Sequence, residues 1–177
     1  MWNPRALRRL SLRHFGALLV TVLVVGCSAS GTLTMLHPKS QTIPPGKTVA
    51  LSVQPDAANP KPIFQEVATR VRDSLYGKLV SNGLFKAVVQ PTESADYRME
   101  VKVFGARQVS TGARIWLGVM AGSNSLALRV EVIDESTNLV VTAFEVAGSS
   151  ASHPLSSEAG LDDALREATD KLVLALR

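Results

Sequence analysis

YRMEVKVF, residues 97–104, alternates without a break. Tyr97, Met99, Val101 and Val103 fall on one side of an extended chain. Arg98, Glu100 and Lys102 fall on the other. That period of two predicts a strand with one face in a core and one in water. SLALRVEVID, residues 125–134, repeats it, with Leu126, Leu128, Val130 and Val132 inward and Arg129 and Glu131 outward. ESTN turns the chain, and LVVTAFEVAG, 139–148, completes a hairpin. Cross-strand ion pairs among Arg98, Glu100, Lys102, Arg129 and Glu131, each worth about 0.2–1 kcal/mol at most, are one reading. The expected reading of the same residues is a solvated sheet face of mixed charge.

Working upstream, LFKAVVQ (84–90) and KTVALSVQ (47–54) are further strand candidates. Between them Phe64, Val67, Ala68, Val71, Leu75 and Leu79 recur at helical spacing and predict a helix over 62–81. Asn59 is the expected N-cap, with Pro60 and Pro62 in or near the first turn. Asn82-Gly83 supplies the stop. Downstream, LDDALREATDKLVLALR predicts a closing helix with the stripe Leu161, Leu165, Ala168, Leu172 and Leu176. Asp162 and Asp163 sit near its positive end and Arg177 at its negative end, as the macrodipole favours. The sum is an α+β fold: a mixed, mostly antiparallel sheet of about five strands, with two helices packed on one face. It forms a single domain over residues 47–177. Residues 27–46 form a tether rich in Ser, Thr, Gly and Pro, in which Thr32–Leu36 can still pair as an edge strand.

The N-terminus has a different grammar. Arg5, Arg8, Arg9, Arg13 and His14 form a basic zone without an acid, followed by the uncharged run FGALLVTVLVVG, 15–26. That run is short of the ~20 apolar residues a transmembrane helix needs. Its basic flank and small last residue suit a secretory signal peptide over residues 1–26. Val24-Val25-Gly26-Cys27 resembles a bacterial lipobox. A thiolate is the nucleophile needed to take a diacylglyceryl group from a phospholipid, and Gly26 lets a peptidase approach the bond before Cys27. Cleavage between Gly26 and Cys27 leaves an acylated N-terminal cysteine, and two or three chains hold firmly where one does not. The plain alternative is a free cysteine in an uncleaved membrane helix. Ser28 is not aspartate, which by the logic of such lipoproteins favours the outer membrane, facing the periplasm.

The formal charge of +4 invites a nucleic-acid reading. Removing the four arginines of residues 1–26 leaves 15 of the 19 basic residues, against 15 acidic ones. With no basic run after Cys27, a phosphate-binding surface is not expected. The single cysteine rules out an internal disulfide, so the domain must hold by packing.

Four pieces together resemble the bacterial lipoproteins grouped as domain of unknown function forty-four-ten. They are NGLFKAVV, the long stretch ADYRMEVKVFGARQVSTGARIWLGVMAGSNSLALRVEVID, the hairpin ESTNLVVTAFEVAGSS, and the helix LDDALREATDKLVLAL. The resemblance implies the fold and an envelope location, and no reaction. Its fold class is similar to periplasmic domains of curli-secretion lipoproteins and of activators of peptidoglycan synthases, which are assembly parts. Where such hairpins often read Thr-Gly, this chain has Asn138, which takes the same left-handed conformation.

No catalytic, metal or cofactor residue emerges. His14 leaves with the signal peptide, and His37 and His153 stand before prolines in polar loops. Neither has metal-ligand spacing. Adjacent Asp162 and Asp163 diverge on a helix, and Ser123 and Ser125 lack a nucleophile-elbow pattern. The expectation is a protein that is not an enzyme, with the membrane as partner through its acyl chains. Another envelope protein is the expected second partner, and homo-oligomerisation is left open. The unusual stretch is TGARIWLGVMAG, 111–122. Its apolar residues Ile115, Trp116, Leu117, Val119 and Met120 admit three readings: core or crossover, a partner-binding patch, or one arm of a pore hairpin over 115–133. As a strand the eight-residue run 115–122 reaches about 26 Å, near the height of an outer-membrane apolar band. Its lack of alternation speaks against the pore.

Overall fold

A computed structural model describes residues 29–58, 61–117, 122–151 and 157–177. Its strands are β1 (Ser30–His37), β2 (Thr48–Pro55), β3 (Ala87–Val89), β4 (Tyr97–Arg107), β5 (Ser125–Asp134) and β6 (Leu139–Ser149). Its helices are α1 (Pro62–Ser81), α2 (Thr111–Leu117) and α3 (Ser157–Leu176). The six strands form one mixed sheet in the order β1-β6-β5-β4-β2-β3. β2 runs parallel to both neighbours, and the other pairs are antiparallel. Parallel strands need a crossover, and α1 supplies it between β2 and β3.

The fold class expected from the sequence is the one found, with two differences. There are six strands because β1 lies within residues 27–46. The edge strand that Thr32–Leu36 allowed is found, extended to Ser30–His37, so the tether does not span the whole segment: Ser30–Met35 pairs residue by residue with Phe144–Ser149, and His37 with Ala143 across a bulge. Hydrogen bonding to an available edge outweighs the polar composition. The third helix, α2, joins neither packing layer and makes at most a marginal contact with another element.

The long helices lie on one face. α1 buries the six apolar residues its spacing predicts. They meet Val49, Leu51, Met99 and Val101, while Leu161, Ala164, Ala168 and Leu172 of α3 meet the β5–β6 half, around Phe144 and Val146. Gly148 shows how closely α3 lies on β6: a Cβ there would stand 2.0 Å from the Ala164 carbonyl oxygen. Polar contacts bridge the helices, as Lys78 Nζ donates to Thr169 Oγ1 (2.7 Å) and Asp170 Oδ1 (2.6 Å), and Arg70 pairs with Asp162. The N-cap of α1 is Lys61, without a side-chain capping bond; Asn59 and Pro60 lie outside the described residues. Gly83 takes the left-handed conformation that ends the helix, at φ +68°.

No element among the described residues covers the opposite sheet face. That face carries the mixed charge expected of it, and no ion pair forms directly across β4 and β5, because the register sets Glu100 opposite Glu131 and Lys102 opposite Arg129. Neutralisation comes from elsewhere. Arg98 pairs with Glu100 two residues along its own strand (3.4 Å) and with Glu135 of the turn (3.0 Å). Arg129 pairs with Glu145 on β6 (2.7 Å).

Candidate functional site

The two ends of the sheet differ in chemistry. At one end β4 finishes at Arg107 and the chain makes an excursion before β5 begins at Ser125. The neck of this excursion is closed by Asn124, which is fully buried. Its Oδ1 accepts from the Val109 N–H (2.8 Å), its N–H donates to Ser150 Oγ (3.0 Å), and its carbonyl accepts from the Ser150 N–H (3.0 Å). Buried Val109 adds an apolar plug. Ser110 Oγ accepts from the Ala113 N–H (3.2 Å), the side-chain-to-backbone bond of a helix start. Gly122 takes φ +82°, which an L side chain rarely adopts.

Above this neck α2 presents Ile115, Trp116 and Leu117 at 68%, 88% and 57% exposure. The core or crossover reading of these three is therefore corrected: they stand exposed in a connection between two adjacent antiparallel strands, which needs no crossover. The hairpin over 115–133 is corrected as well. Residues 115–117 are helical, and Ser125–Asp134 is an inner strand between β4 and β6 whose alternate side chains fill the core. Val119 and Met120 lie outside the described residues, as do Gly26, Cys27, Ser28, His14 and His153. The register nevertheless fixes where the described chain begins. Ser30 pairs with Ser149, Ser149 with Ser125, and Ser125 with Arg107. The first strand thus starts in the same row from which the α2 excursion leaves.

The other end holds a polar cavity of about 510 Å³, lined among others by Lys47, Asp96, Tyr97, Arg98, Asp134 and Glu135. Asp96 is its organising residue. It accepts from Lys47 Nζ (2.8 Å), the Thr48 N–H (2.8 Å) and Thr48 Oγ1 (2.9 Å), and its own N–H donates back to Thr48 Oγ1 (3.0 Å). These donors, the Lys47 bond foremost, hold its carboxyl down at about 2. The same bond raises Lys47. Burial, then the charge of Asp134, raises Tyr97. Asp134 is lowered chiefly by the Ser136 hydroxyl (2.6 Å), within the turn it caps. The Nε of Arg98 is buried and faces Glu135 at 3.0 Å without hydrogen-bond alignment. The carboxylates of Asp96 and Asp134 already have their donors, so this constellation acts as a clamp joining β2, β4 and the β5–β6 turn. Sequence reading missed it because Lys47 and Asp96 stand 49 positions apart, with no local pattern linking them.

Among the described residues, no group of His, Cys, Asp and Glu is disposed to hold a metal ion, and no helix is long and apolar enough to cross a membrane. His37 ends β1, where its carbonyl accepts from Thr142 Oγ1 (3.1 Å).

Among solved structures, the fold is similar to the PelC dodecamer from Paraburkholderia phytofirmans, at 18% identity and a TM-score of 0.55, covering 82% of this chain and 97% of that one. It is also similar to a Xanthomonas campestris protein of the DUF330 family, at 12% identity and a TM-score of 0.50, covering 83% of this chain and 90% of that one. At such identities the likeness is one of fold. A search of curated proteins gives no match. Residues 33–154, more than half of the chain, match the family described as Domain of unknown function (DUF4410), and the chain belongs to that family.

Proposed function

We propose that the protein is a bacterial envelope lipoprotein, cleaved between Gly26 and Cys27, acylated on Cys27 and held at the periplasmic side of the outer membrane. It works there by binding or scaffolding other envelope components, and not by catalysis. The observation that carries this reading is Val24-Val25-Gly26-Cys27, placed at the end of an apolar run behind a basic zone. Such a segment is spent on export and acylation, which leaves a mature domain of balanced charge. The apolar head of α2 supports a contact role, since a large exposed apolar patch marks a protein or a membrane surface.

A second reading is a subunit of a homo-oligomeric assembly, favoured by the dodecamer that the PelC chain of similar fold forms. Such a ring would be built from whole folded domains.

The test of the anchor is covalent. Wild-type protein should incorporate labelled palmitate and show the intact mass of residues 27–177 plus a diacylglyceryl group and an amide-linked chain. Cys27→Ala should accumulate as an unlabelled full-length precursor. A full-length wild-type chain with no added lipid mass would overturn the reading. Light scattering of the acylated protein in detergent separates the second reading: a monomer removes it.

A further inference from the structure

We propose that Ile115, Trp116 and Leu117 form a second membrane contact, seating the domain end-on against the same phospholipid surface that holds its acylated cysteine. The proposal rests on the anchor at Cys27 argued above. Its basis is where the chain emerges. Ser30, Ser149, Ser125 and Arg107 form one row across the sheet. Cys27 precedes Ser30 by three residues, so the intervening chain spans at most about 10 Å. Arg107, where the α2 excursion starts, is three strand spacings from Ser30, about 14 Å. A domain moored through Cys27 therefore keeps this end of its sheet against the lipid, and the apolar head leaves from that end.

The chemistry of the head agrees with this orientation. Trp116 at 88% exposure, between exposed Ile115 and Leu117, presents an amphipathic ring and two aliphatic chains. Tryptophan favours the headgroup level of a bilayer. The buried Asn124 neck holds α2 as a projection from the sheet. The acyl chains also supply a high effective concentration of membrane, so the head needs little affinity of its own.

Trp116 allows a direct test, because Trp2 departs with residues 1–26 and leaves it the sole tryptophan of the mature chain. Acylated protein, checked by intact mass, is reconstituted in phosphatidylethanolamine–phosphatidylglycerol vesicles, with and without bromine on the acyl chains near the glycerol. Trp116 emission should move to shorter wavelength on the vesicles and lose intensity with brominated lipid. A reporter at the far end, Leu139→Trp in a Trp116→Phe background, should keep water-like emission and its intensity. Leu139 is 66% exposed there, so the change leaves the core alone. Water-like, unquenched Trp116 in acylated, vesicle-bound protein would overturn the proposal. So would short-wavelength emission indifferent to bromine, the mark of a protein contact, or equal quenching of both reporters. A preparation without lipid mass fails earlier, at the anchor itself, and takes the proposal with it.

Discussion

Asp96 shows how one side chain ties distant segments together. It accepts from Lys47 and twice from Thr48, 48 and 49 positions away, and so pins the start of β2 to the start of β4. Its folded carboxyl lies at about 2 against an ordinary 3.8. A depressed acid contributes stability that is whole above the ordinary value and is lost as pH falls through the folded one. Asp96→Asn should therefore lower the denaturant midpoint at pH 7. The gap between variant and wild type should narrow as pH drops from 4 towards 2. Urea titrations at pH 7, 4 and 2.5 check this, and a gap independent of pH would mean that the carboxylate charge is not what matters. Thr48 and Asp96 hydrogen-bond in both directions, and a pair formed only by tertiary contact leaves no trace in either local sequence.

At the scale of elements, periodicity was readable where packing is one-sided. The helix expected over 62–81 is found with those bounds and with the six expected residues buried, because a 3.6-residue stripe has one way to meet a sheet. The alternating strands likewise bury the predicted residues. The turn before β6 uses Asn138 at φ +52°, as its residue type allows. β3 is shorter than its apolar run, three residues at a sheet edge. α2 was not legible from its apolar content, since an uncharged run of eight, 115–122, suits a strand as well as a helix. Ser110, capping Ala113, was the available clue. Gly148 was equally silent, although α3 rests on β6 only because no side chain stands there. Gly148→Ala should force the helix off the sheet at a cost of about 1–3 kcal/mol or more. Thermal melting should fall by roughly 2–4 °C for each kcal/mol. An unchanged Tm would show that α3 can shift without loss.

For the whole molecule, layering sets the gradient of local stability. β5 is bonded on both sides and buries alternate residues under the helices, whereas among the described residues α2 makes at most a marginal contact with any other helix or strand. Native-state hydrogen exchange should find the slowest amides in β5 and the centres of β4 and β6, and fast exchange in α2. Slow exchange throughout α2 in detergent-solubilised protein would contradict its isolation. The sequence alone determined the α+β class, the balanced charge of the part after Cys27, α1 and most strands, because those follow from composition and from side-chain period. It also supplied Val24-Val25-Gly26-Cys27, a linear motif that needs no fold to be read. The tertiary structure alone decided that β1 joins the sheet and that like charges face each other across β4 and β5. It likewise decided that Ile115, Trp116 and Leu117 stand in solvent, at the end where the first strand begins. These depend on register and strand order, which are fixed by pairing between segments far apart in the chain and cannot be read from any one of them.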